Sequence, residues 1–421
     1  MLMPRGARRA IMLVSLVASL ASVARAQVDR PRAEAYFREV QALCERDAGR
    51  LWGVSLCGPM VIGDLRTQTF ATSQPAPDAP RPPLVGLVNA PVEWGGTTWG
   101  AYVWDFAVNE TPRGRHELLL HELFHRVQRQ LGLVVAAGAN EHLDAPDGRY
   151  WLRLEWRALA RALGEAGDRR QAAVRDALAF RQTRRAIARD AAESERTAEI
   201  GEGLAQYTAT VVAASSPAEA TASALAQLAA AEKQESFVRM FAYASGPAYG
   251  VLLDAAAPGW PRNVRATDDL GALAMQAFGV QPASDATSAA ARYGGVEVKA
   301  AEQQREAQRR ARVAELRQRF VDGPVLVLRG GGRGSSDARG ALVLAGIGTV
   351  YFGSYRFSGE WGTLEAETGV LVASDGGSRW VPAPVRRDDG TAEGDGWTFK
   401  AAPGWVVREG ARRGDYEVVR Q

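Results

Sequence analysis

The chain has 421 residues and a formal charge of +3, with 46% apolar and 24% charged residues. That composition is globular and leaves room for two or three domains. The bases are nearly all arginine, with lysine only at Lys233, Lys299 and Lys400, and acids balance them. Nothing in this balance calls for a nucleic-acid partner.

The first element is a processing segment. Arg5, Arg8 and Arg9 precede an apolar run over 10–23, and Ala24-Arg25-Ala26 supplies an A-x-A cleavage pattern. Residues 1–26 therefore read as a signal peptide, too short to span a membrane, and no second apolar run of sufficient length follows. Removing them takes away Arg5, Arg8, Arg9 and Arg25 and no acid, so the formal charge falls from +3 to −1. The expected product is exported, periplasmic or secreted, and begins near Gln27. Cys44 and Cys57 are the two cysteines. In an oxidising compartment they can close a short loop as one disulfide; the other reading is two buried thiols, and geometry decides.

The pattern after the leader predicts an α+β protein in three parts. Residues 27–110 form the α/β part of a catalytic domain around a mixed sheet. They carry a helix over 32–48 and strands over 51–56, 60–62, 84–88 and 97–106. Between these, 68–83 is proline-rich and reads as a loop. Residues 111–320 are mostly helical, with patterns over 150–163, 169–189, 191–213, 217–231, 235–255 and 268–277. The stretch 300–319 is a charged helix with few apolar residues, expected as a solvated connector. Residues 321–421 switch to short strands with glycine-rich turns, a small all-β module.

The chemistry sits in the helix that Thr111-Pro112 can open and Gly132 can close. His121-Glu122-Leu123-Phe124-His125 reads H-E-x-x-H. On a helix the two histidines lie about 40° apart, so both imidazoles can reach one metal ion. Glu122 stands about 100° from His121, placed to take a proton from a water at the metal. The donor types suit Zn²⁺ with one open position. His116, about 140° round from His121, faces elsewhere.

A third ligand must come from farther along. Glu202-Gly203-Leu204-Ala205-Gln206-Tyr207 and Tyr243-Ala244-Ser245-Gly246 resemble motifs of the gluzincin metallopeptidases, the group that includes thermolysin and the zinc aminopeptidases. In that family a later helix supplies a glutamate, often within N-E-G-F/L-A-x-Y. A Y-x-x-G tyrosine stabilises the oxyanion in its aminopeptidase-type members. The resemblance covers about residues 84–260. It implies Glu202 as third ligand and Tyr243 as oxyanion donor, with Tyr249 its runner-up. Gly201 stands where the family has asparagine. Glu202 lies 77 residues after His125, which an insertion of helices near 150–163 and 169–189 would explain.

Other residues stay in play. Glu155, in an apolar helix, could itself be the third ligand, or an ion-pair partner of Arg153 or Arg157. Glu199, three residues before Glu202, is either an orienter of a ligand histidine or a solvated carboxylate. His142 reads as a loop histidine. The family's G-x-M-E-N motif, whose glutamate holds a substrate amino terminus, is missing; Glu93 lies near that place without matching. Endopeptidase activity is thus as well supported as aminopeptidase activity, with a peptide or protein substrate and the strand 97–106 as its pairing edge. The competing readings are a non-catalytic envelope or interaction protein with a gluzincin-like shell, and a zinc hydrolase of a non-peptide bond. Intact Glu122 argues against the first, since a scaffold needs no general base.

Overall fold

The computed structural model describes residues 27–136, 138–336, 340–388 and 390–421; the expected signal peptide lies outside them. The architecture is α+β, in two compact units that divide between Gly295 and Val296. Among the described residues no helix is long and apolar enough to cross a membrane.

The first unit opens with α1 (Arg30–Asp47), capped by the Asp29 carboxylate, which accepts from the Arg32 backbone N–H at 3.1 Å. A disulfide joins Cys44 in its last turn to Cys57, with Cα atoms 5.3 Å apart. The sheet comprises β1 (Met60–Asp64), β2 (Thr69–Thr72), β3 (Ala90–Trp94) and β4 (Thr97–Val103). Its order is β2-β1-β4-β3, with β1 and β4 parallel and the other pairs antiparallel. Val61, Val92, Trp94, Trp99 and Ala101 build its core.

Several strand expectations need correction. Residues 51–56 and 84–88 form turns and irregular chain. Val85 is buried as a single side chain among the sheet residues, so the apolar signal there came from plugging a core without strand pairing. β2 falls inside the stretch expected as a loop, because its prolines begin only at Pro75. The strand expected over 97–106 ends at Val103 and continues as α2 (Trp104–Asn109). β4 also lies between β1 and β3, so it offers no free edge. The edge strands are β2 and β3, and in β3 Pro91, lacking an N–H, is tolerated.

The motif helix α3 (Pro112–Gln128) starts where Thr111 accepts from the Gly114 N–H at 3.0 Å, with Pro112 in the first turn. The chain leaves the helix through a turn that ends at Gly132, whose φ of +69° suits a residue without Cβ. Leu119, Leu120, Leu123 and Phe124 are fully buried, each contributing roughly 1.5–3 kcal/mol of transfer free energy. They wedge α3 between β4 and α7 (Leu204–Ala213). The Tyr102 hydroxyl of β4 donates to the Leu119 carbonyl at 2.8 Å, locking sheet to helix.

Helices α4 (Pro146–Gly164) and α5 (Gly167–Arg185) are equal in length and pack in close contact. The span expected as one helix over 191–213 holds α6 (Ala191–Ala198), a π-helical turn over Glu199–Gly203, then α7. After α8 (Pro217–Ala231), the next helix begins later than expected, as α9 (Phe241–Ala256). α10 (Leu270–Phe278) and α11 (Ala286–Ala290) complete the unit.

The second unit holds the charged helix Gly295–Arg317 from its second residue on, and thirteen strands in a six-stranded and a seven-stranded sheet, counted among the described residues. Pairing is antiparallel except between Val325–Arg329 and Tyr416–Arg420. Leu326, Phe357, Trp361, Leu364, Trp397 and Phe399 form its main core. The helix is more than a connector: Leu316 and, just past its end, Phe320 are buried against Leu344, Val350 and Leu371.

Candidate metal centre

Local helix geometry brings His121 and His125 together, and the tertiary fold adds Glu202. The two histidine Nε2 atoms lie 3.0 Å apart, and Glu202 Oε2 stands 3.2 Å from that of His121 and 3.6 Å from that of His125. Ligands held by a tetrahedral ion at zinc-like bond lengths sit about 3.4 Å from one another. The spacing therefore fits one small metal ion shared by all three, and among the described residues this is the group of metal-ligating side chains that converges.

The tautomers follow from the partners behind the rings. Gln128 Nε2 donates to the carbonyls of Ile200 and Gly201 at 3.2 and 3.1 Å, and a carbonyl can only accept. Gln128 Oε1 must then face His125 Nδ1, 2.8 Å away, so that nitrogen carries the proton. Likewise Gln206 Nε2 donates to the Glu117 carboxylate at 3.4 Å and turns Oε1 to His121 Nδ1 at 3.2 Å. Both Nε2 lone pairs are thereby left facing Glu202. Two lone pairs and a carboxylate pressed together repel unless a cation sits between them, and this donor chemistry fits a metal ion.

A close helix crossing places Glu202. Gly203, in the π turn, meets Gly246 of α9 backbone to backbone: a Cβ on Gly246 would stand 2.4 Å from the Gly203 Cα. The missing side chains let Glu202 and Tyr243 come side by side. The Tyr243 hydroxyl donates to Glu202 Oε2 at 2.5 Å, and its ring stacks on His121 with centroids 5.3 Å apart. Burial and the Glu202 charge push the Tyr243 phenol well up, so it stays a proton donor at neutral pH. Burial also raises the Glu202 carboxyl, but its close approach to the His121 and His125 rings and the hydrogen bond from Tyr243 outweigh this and hold it below its ordinary value.

Glu122 is buried beside the group, and burial raises its carboxyl despite the opposing pull of His121 and His125. It lines an open cleft of about 920 Å³ with His125, Glu202 and Tyr243; β3 and Thr98 of β4 also border it. Glu93 lies on this border, where it accepts a hydrogen bond from Thr98.

The remaining candidates fall elsewhere. Glu155 is fully buried between Arg181 and Arg184 and accepts from the Tyr249 hydroxyl at 2.7 Å, so it takes no part in the converging group. Tyr249 thus points away from the cleft. Glu199, expected as an orienter or a solvated carboxylate, is buried and paired with Arg181. The π turn accounts for this: its i→i+5 bonding widens the helix, so carboxylates three residues apart diverge instead of sharing a face. His142 Nε2 lies 2.9 Å from Glu195 in the same buried ion cluster, and His116 Nε2 lies 3.0 Å from Glu39. Gln128 and Gln206, the actual orienters, were missed by the sequence reading. Their offsets of three from His125 and four from Glu202, one helical turn each, were the available signal.

In comparisons with known proteins, no family model, no curated protein and no solved structure matches the chain.

Proposed function

We propose that the protein is an exported zinc-dependent peptidase, as its motif resemblance to the gluzincins implies. The observation that carries this reading is the convergence of His121 Nε2, His125 Nε2 and Glu202 beside a cleft that His125 and Glu202 line, with the buried carboxylate of Glu122 next to them. His121, His125 and Glu202 would hold Zn²⁺, which when bound supplies Lewis acidity toward a carbonyl and acidifies a water in its open position. Glu122, buried beside the ligands, would take the proton from the attacking water and return it to the leaving amine. Tyr243, kept neutral, donates to the developing oxyanion. Gln128 and Gln206 orient the two imidazoles. The edge strand β3 supports an extended peptide along the cleft, since its outer backbone groups can pair with an added strand. The Cys44–Cys57 disulfide supports an oxidising compartment outside the cytosol.

The test is metal analysis and peptide-library digestion with the exported chain, using Glu122→Gln as control. The expected result is about one zinc per chain, peptide cleavage, and a variant that keeps its metal and melting temperature while losing about 10²–10⁴-fold in kcat. A wild type without metal, or equal cleavage by Glu122→Gln, would sink the reading.

A further inference from the structure

The cleft carries a charge pattern that the peptidase reading does not use. Three glutamates line it, Glu93, Glu122 and Glu202, and three arginines, Arg126, Arg129 and Arg239. The carboxylates are engaged: Glu122 and Glu202 belong to the metal centre, and Glu93 accepts from Thr98. Arg126 is engaged too, donating to the backbone carbonyl of Cys57 at 2.6 Å and to that of Leu56 at 3.4 Å. Arg129 and Arg239 are exposed, and neither has an ion pair or hydrogen bond among the described residues.

The two free arginines are not equivalent. Arg239 lies in the turn that leads into α9, four residues ahead of Tyr243. Arg239 and Tyr243 line the same cleft. Tyr243 in turn touches both Glu202 and His121. Arg239 therefore stands on the cleft wall that Tyr243 also lines, with a planar guanidinium fork uncommitted. Such a fork pairs bidentately with carboxylates, and an unpaired arginine in a concave site gains more from such a partner than a solvated surface arginine does.

We propose that Arg239 is a specificity residue that binds a carboxylate of the substrate beside the scissile bond. The inference rests on the peptidase reading and narrows its substrate class to peptides with an acidic side chain or a free C-terminal carboxylate at that position. The two sources share one chemistry, and the experiment separates them.

The experiment uses the exported chain carrying Glu122→Gln, so that peptides bind without turnover, and a matched peptide set read by calorimetry. One arm compares a glutamate with a glutamine at each position of an otherwise neutral, end-blocked peptide. The other compares a free C-terminus with its amide. A preference of about tenfold is expected in one arm, weakening as salt rises. Arg239→Ala should abolish that preference with zinc content and melting temperature unchanged, and Arg239→Lys should restore part of it. Arg239→Glu should reverse it toward cationic peptides. With Glu122 restored, Arg239→Ala should raise KM for the preferred peptide and leave kcat nearly unaltered. Tight binding of neutral and anionic peptides alike, or a preference that survives Arg239→Ala, overturns the proposal while leaving the peptidase reading intact. If no peptide of any charge is bound or cut by metal-loaded protein, the peptidase reading itself falls and this inference with it.

Discussion

Glu199 and Glu202 belong to one turn of helix, yet they serve two clusters built on opposite principles. Glu199 joins Glu155, Glu195 and Asp269 around Arg181, Arg184 and Arg185, and every carboxylate there has a guanidinium partner. Glu202 faces His121 and His125 with only Tyr243 as a fixed donor. The first cluster is compensated from within. The second gathers lone pairs without an internal cation, which is how a protein leaves room for an ion from outside. A buried charge cluster alone says little about function; the partner missing from it says more.

This contrast predicts opposite consequences for neighbouring mutations. Glu202→Ala should fold with a melting temperature near that of the wild type yet bind almost no zinc, by elemental analysis. Arg184→Ala should leave Glu155 with Arg181 and Glu195 with Arg185 as their remaining guanidinium partners, costing about 3–5 kcal/mol in denaturant unfolding. Zinc lost from Glu155→Ala but retained in Glu202→Ala would exchange the roles assigned here.

A smaller effect is expected at the orienting residues. Gln128→Leu keeps the side-chain bulk but takes away the acceptor that fixes the His125 tautomer. Zinc affinity should drop about 10–100-fold, measured by competition with a chelator, with little change in melting temperature. A larger loss of stability than of affinity would make Gln128 a packing residue. At the helix crossing, Gly246→Ala should cost about 1–3 kcal/mol, because its Cβ meets backbone that cannot yield. It should also weaken activity by parting Tyr243 from Glu202; unchanged kinetics would remove Tyr243 from the mechanism.

The smallest effect is a pH dependence. Burial pushes Glu195 and Asp269 up, but Arg184 at Glu195, and Arg181 and Arg185 at Asp269, more than offset it and hold both carboxyls below their ordinary values. A depressed carboxyl contributes stability above its unfolded pKa and loses it as pH falls toward the folded value. The melting temperature should thus be flat above about pH 5 and decline below it. Arg184→Ala should flatten that decline, and an equally steep decline in the variant would place its origin elsewhere.

The motif histidines, the place of Glu122 between them and the helix start at Thr111-Pro112 are features of neighbouring residues, governed by a 3.6-residue repeat and a local cap. The sequence by itself determined those, along with the change from helical to β character near residue 320. The edge of the sheet, the turns at 51–56 and 84–88, and the divergence of Glu199 from Glu202 were decided only by the tertiary structure. Whether an apolar run pairs as a strand or plugs a core depends on which partner reaches it. Whether two carboxylates share a face depends on a π turn whose widened bonding has no local signature. The pairing of Gln128 and Gln206 with the histidines, and the opening of Arg239 to the cleft, depend on the same long-range packing, where the glycines at 203 and 246 let two helices touch.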